Sequence, residues 1–267
     1  VFPTPSLCRS LAAAAIVAAV SCIPARAVQE TGLSQAAKDA GEAYVRTLAG
    51  AGAAFANHDY VLALEKLDVA DQIQANVPDT WGMRGAIYAE EHAFEKAEDA
   101  FEKQQALLPG DFWPKYNLAQ LLLMQKRYVP AGDAFAKLLL YRGHEELVQF
   151  KAVYAYLMGG KPDMAKPVLD GMKTPSDTPA YYFAQAAWAF AHNDKKEGDY
   201  WTRTSLRVFG LVRSVSFYDA LVQAGWLPMR AADGSVPEEE GLSNLAAPIV
   251  KPGDSLLPGS GGLPQQQ

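Results

Sequence analysis

Four histidines are the first place to look for acid–base or metal chemistry in this chain of 267 residues. His58 and His92 stand 34 positions apart, and His192 falls in a similar polar stretch, His192-Asn193-Asp194. A helical zinc site needs a second ligand at i+4 beside a general base, and none of the three has one. His144-Glu145-Glu146 also lacks that second histidine. The regular spacing therefore reads as a turn residue repeated with the chain's own period. Gly159-Gly160-Lys161 has the look of a phosphate loop, but Pro162 follows where a Ser or Thr must bind the magnesium. No G-x-S-x-G elbow is present. Glu90-Glu91, Glu95, Glu98, Asp99 and Glu102, interleaved with Lys96 and Lys103, read as a solvated helix face with partial charge pairing rather than an acid–base pair. The sequence thus assigns no catalytic residue, no metal site and no cofactor, and an enzyme is the weakest reading.

The elements that carry these residues repeat. Ala63, Ala97, Ala131 and Ala165 are each 34 apart, and four positions after each comes Leu67, Phe101, Phe135 or Leu169. Tyr60, Phe94 and Tyr128 precede the first three alanines by three, with Pro162 in the fourth place. Within 79–92 and 95–108 apolar residues recur every three or four positions, the helical period. Polar breaks at Asn57-His58-Asp59, Glu91-His92 and Gln125-Lys126 divide each unit into two helices, and Pro109-Gly110-Asp111 ends one pair before the next. The spacing predicts helical hairpins at about 44–77, 78–111, 112–145 and 146–179. A degenerate fifth hairpin follows at 180–209, with Gly198 or Asp199 where the alanine is due, and an amphipathic capping helix at 212–225.

The second unit carries Trp81-x-x-Arg84-Gly85-x-x-Tyr88, then Phe94, Ala97, Phe101 and Pro109. In this it resembles the tetratricopeptide-repeat family, of an exported bacterial type, with Arg84 where the family usually has Leu. The resemblance implies an all-α fold, an α-solenoid of about four to five hairpins. It also implies that the first helix of each hairpin lines a concave groove. By repeat position the groove residues are Trp113, Tyr116, Asn117 and Gln120 in the third unit. The fourth supplies Leu147, Phe150, Lys151 and Tyr154, and the fifth Tyr181, Gln185 and Trp188. Asn117 stands where peptide-binding members of the family carry an Asn that holds the ligand backbone. The family's carboxylate clamp is missing, since Gly82, Ala86 and Leu147 occupy its places and only Lys151 is basic. Aromatic rings with a few amides suit a protein or peptide partner, although the C-terminal helix or the tail could equally fold back over them.

The two ends read differently. Arg9, the apolar run Leu11 to Val20 and Ala25-Arg26-Ala27 predict a signal peptide over 1–27, and the run is too short to span a bilayer. Cys8 and Cys22, the only cysteines, both lie within it. A second reading makes Ala19-Val20-Ser21-Cys22 a lipobox and Cys22 a lipid anchor. Cleavage after Ala27 takes the basic count from 24 to 22 against 30 acids, a net of −8. That balance disfavours nucleic acid. The folded domain is expected over 28–228. Residues 229–267 are expected to form a flexible tail, since 231–267 hold six Gly and five Pro. The sequence therefore predicts an exported interaction scaffold in the periplasm or cell envelope. The alternative is a lipoprotein subunit of an envelope assembly or secretion machine.

Overall fold

The computed structural model describes residues 35–141, 145–174 and 176–230. The expected leader, Cys22, His144 and the chain beyond Arg230 lie outside the described residues. Within them the fold is all-helical: α1 (Gln35–Ala56), α2 (Tyr60–Ile73), α3 (Pro78–Glu90), α4 (Phe94–Leu107), α5 (Phe112–Met124), α6 (Tyr128–Leu138), α7 (Glu145–Met158), α8 (Pro162–Asp170), α9 (Ala180–Ala191) and α10 (Lys195–Gln223). Odd and even helices pair as hairpins, α1 with α2 through α9 with α10, and each hairpin packs on its neighbour.

One backbone device makes all five hairpin turns. His58, His92, Lys126, Gly160 and Asn193 adopt φ of 60°, 58°, 59°, 67° and 62°. The next N–H in each case reaches back five residues: Asp59 to the Ala54 carbonyl, Ala93 to Tyr88, Arg127 to Leu122, Lys161 to Tyr156 and Asp194 to Ala189, at 2.8–2.9 Å. This bond ends the first helix by satisfying a carbonyl that the helix leaves open. Histidine and asparagine tolerate the left-handed region better than most side chains, which accounts for His58 and His92. In the fifth turn Asn193 takes the left-handed position, and His192 is the residue before it.

The second helices start just beyond these turns. Asp59 and Asp194 cap α2 and α10 by accepting the Leu62 and Glu197 N–H, while Pro162 opens α8. The N–H of each repeat alanine donates to the residue four before it: Ala63 to Asp59, Ala97 to Ala93, Ala131 to Arg127 and Ala165 to Lys161. Gly198 donates to Asp194 in the same way at 3.0 Å. The fifth hairpin is thus in register with the others once one residue is dropped ahead of its turn, since Asn193 follows Gly160 by 33 rather than 34, and Gly198 rather than Asp199 stands at the alanine position. The four alanines are fully buried, and the partners four residues on are core side chains: Leu67, Phe101, Phe135 and Leu169, with Thr202 in the fifth hairpin.

The core forms two adjoining clusters, one spanning α1 to α4 and joined by Leu121 of α5, the other spanning α5 to α10. Arg84 explains its own departure from Leu. Its guanidinium is largely buried and donates to Asp68 and Asp71 at 2.7 Å each, tying α3 to α2 of the preceding hairpin. After α8, the connection to α9 is held by Glu146, which accepts from the hydroxyls of Ser176 and Thr178. The continuous helical run of α10 is broken at Gly210, where φ is 73° and ψ 167°. Residues 195–209 complete the fifth hairpin, and residues 211–223 turn away from that line.

Candidate functional site

The residues predicted to bind stand on α5, α7 and α9, and the structure sorts them into two groups. Six of the nine expected contact residues are buried, namely Tyr116, Asn117, Gln120, Phe150, Lys151 and Tyr154. Trp113, Tyr181 and Trp188 are half-buried.

The aromatic members of α5, α7 and α9 pack within the chain. Tyr116 lies against Phe112, Trp113 and Phe135, with ring centroids 5.5, 5.7 and 5.6 Å away. Phe150 meets Phe217 at 4.9 Å, and Phe217 in turn stacks on Phe183 at 5.7 Å. Tyr154 meets Trp226 at 6.1 Å, and Trp226 stacks on Phe190 at 6.4 Å. The segment after Gly210 therefore covers Phe150 and Tyr154, and these two are internal contacts rather than an open surface. Burial pushes the phenols of Tyr116 and Tyr154 well above the usual tyrosine range. Tyr181 packs edge-on against Trp201 at 5.9 Å, and Trp188 stacks on His192 at 4.1 Å, with the Lys166 ammonium 5.8 Å from its ring centre.

The polar members behave differently. Asn117 is 3% exposed and donates from Nδ2 to Gln104 Oε1 of α4 at 3.3 Å. Gly82 of α3 makes room for that pair, because a Cβ there would sit 2.3 Å from Gln104 Nε2. Among the described residues, Asn117 Oδ1 and Gln120 Oε1 have no hydrogen-bond partner, and neither does Glu90 Oε1. Glu90 is 7% exposed at the C-terminal end of α3, and burial raises its carboxyl to about 7. Lys151 of α7 is also buried, and burial lowers its ammonium to about 8. Burial is the cause of both shifts.

Glu90 and Gln104 were not among the expected site residues, and the sequence reading put Glu90 on a solvated face. The structure corrects this: Glu91, Glu95, Glu98, Asp99 and Glu102 are exposed, whereas Glu90 is not. The signal was present in the spacing. Glu90 follows Met83 by seven, Ala86 by four and Ile87 by three, the stripe that α3 buries; Gln104 follows Ala97, Ala100 and Phe101 by seven, four and three.

The arrangement offers hydrogen-bond acceptors rather than a reactive group. Among the described residues, no three His, Cys, Asp or Glu side chains converge to hold a metal ion. No helix among them is long and apolar enough to cross a membrane. No protein-family model matches the chain, and no curated protein matches it.

Proposed function

We propose that this chain is a tetratricopeptide-type α-solenoid acting as an exported interaction scaffold in the periplasm or cell envelope, and that it holds a peptide segment of a partner protein against α3 and α5. The observation that carries this reading is the set of unpaired acceptors Asn117 Oδ1, Gln120 Oε1 and Glu90 Oε1 on two first helices. A buried acceptor without a donor costs about 1–3 kcal/mol, so a donor that reaches these three as the partner binds is favoured. An extended peptide supplies a row of backbone N–H groups. Trp113, half-buried beside Asn117's helix turn, adds a ring for a partner side chain. Chemistry plays no part in this proposal, since acceptors without a nucleophile or an acid–base pair bind but do not react.

A library of displayed peptides selected on the full chain tests it. The proposal expects enriched peptides whose affinity falls at least tenfold in Asn117→Ala and in Gln120→Ala, and is unmoved by Leu140→Ala, an 87% exposed residue beyond α6. Selected peptides that ignore both α5 substitutions would refute the site.

A further inference from the structure

The segment after Gly210 is held by a docking surface rather than by chain continuity. Phe217 fits between Phe150 of α7 and Phe183 of α9, and Trp226 between Tyr154 and Phe190 of the same two helices. Arg213 donates to the Asp177 carbonyl at 2.8 Å, and Arg230 closes the segment with two bonds to the buried carboxylate of Asp219 at 2.9 and 3.1 Å. Tyr218, 1% exposed, donates its hydroxyl to the Pro228 carbonyl. Residues 211–230 are thus a small folded unit, clipped to itself and seated on α7 and α9.

What joins this unit to residues 195–209 is a single residue. The φ and ψ of Gly210 lie in a region that only glycine occupies readily, disfavoured for other residues by tenfold or more, on the order of magnitude. Residues on either side are helical, so a helical Gly210 would make 195–223 one straight rod about 40 Å long. In that form Phe217 and Trp226 leave their own α7 and α9, and those two helices present bare rings.

We infer that the α7–α9 face is a helix-docking surface that accepts residues 211–230 from a second copy of this chain as well as from its own. The occupant is fixed by what already sits there: the same side chains make the same contacts whichever copy supplies them, so exchange costs little beyond association. The linkage holds the segment at high effective concentration in the closed form, and Gly210 sets how far that form is favoured. This inference does not rest on the peptide reading of α3 and α5, which involves neither of these helices.

Gly210→Ala in the full chain tests it cleanly. An added Cβ meets nothing within 4 Å, so the substitution acts on backbone preference alone, and alanine also favours the helical form roughly fivefold. Light scattering behind size exclusion should show Gly210→Ala doubling in mass with concentration, at least tenfold more readily than the wild type. Adding Phe217→Ala and Trp226→Ala to it should return the mass to one copy. A labelled peptide of residues 211–230 provides a second arm: the full chain carrying Phe217→Ala and Trp226→Ala should bind it at least tenfold more tightly than the wild type, whose own segment competes. If Gly210→Ala loses its helical circular dichroism, the peptide arm decides alone. A Gly210→Ala chain of wild-type mass at every concentration, or a peptide that binds neither chain, overturns the inference.

Discussion

The ring of Phe190 occupies the space where a side chain at Gly198 would have to go: a Cβ at 198 would lie 2.5 Å from Phe190 Cε1. The same relation joins Gly85 to Phe101, where the distance would be 2.4 Å. In both hairpins the two helices approach until a ring of one rests on the bare backbone of the other. Helix propensity alone favours Gly198→Ala by about 1 kcal/mol. The contact reverses that, so Gly198→Ala is expected to destabilise the fold by about 1–3 kcal/mol. Chemical denaturation of the full chain measures it, and a gain in stability would show that α9 and α10 are not in this contact.

The turns supply a prediction of opposite sign. Lys126 is exposed and takes φ of 59° in the third turn, where the fourth turn has Gly160. Lys126→Gly relieves that strain and is expected to raise stability by roughly 0.5–1 kcal/mol, in spite of glycine's greater freedom when unfolded. The melting temperature should rise; a fall would mean the turn is not left-handed there.

Glu90 links the candidate site to pH. Its carboxyl is raised from 4.5 to about 7 by burial, so the folded state holds a proton that the unfolded state releases. The stability this provides is present below pH 4.5 and is lost as pH rises through about 7. Glu90→Gln, which keeps the neutral shape, is expected to stabilise the chain at pH 8 by up to about 3 kcal/mol and to change nothing near pH 4. Urea titrations at the two pH values test the difference.

Lys151 gives the mirror case. Burial lowers its ammonium to about 8 from 10.5, so folding is opposed by the charged form below pH 8, and the opposition fades as pH rises toward 10.5. Lys151→Met is expected to stabilise the chain at pH 7 by up to about 3 kcal/mol, with the gain shrinking steadily between pH 8 and 10. A gain that is independent of pH would show that packing, not charge, limits the site.

Much of this fold was legible in the sequence because its hairpins share one register. The alanines at 63, 97, 131 and 165 and the apolar residues four beyond them mark where the second helices bury their faces, and the polar breaks mark the turns. The fifth hairpin was blurred by one residue missing between Gly160 and Asn193, ahead of its turn, which the Gly198 to Asp194 bond resolves. The site was read less well. Repeat position placed Tyr116, Phe150 and Tyr154 on the binding face, but an apolar ring on a helix is drawn to any apolar neighbour. Phe135 supplies such a neighbour to Tyr116 from the second helix of the same hairpin, while Phe217 and Trp226 cover Phe150 and Tyr154 from far along the chain. Single-sequence periodicity carries no signal for such long-range covering. Asn117 and Gln120 were named on family resemblance, whereas Glu90, on the buried stripe of α3, needed only the helical spacing to be seen.

The central claim, that buried acceptors on α3 and α5 bind the backbone N–H groups of a peptide, is tested most directly by a double-mutant cycle. A selected peptide and its backbone N-methylated form are titrated against the wild-type chain and against Asn117→Ala with Gln120→Ala. Methylation removes the donors and leaves the side chains. The account predicts at least a tenfold loss on the wild type and a much smaller one on the double variant, where Glu90 Oε1 alone of the three acceptors remains. Equal losses on both chains would contradict it.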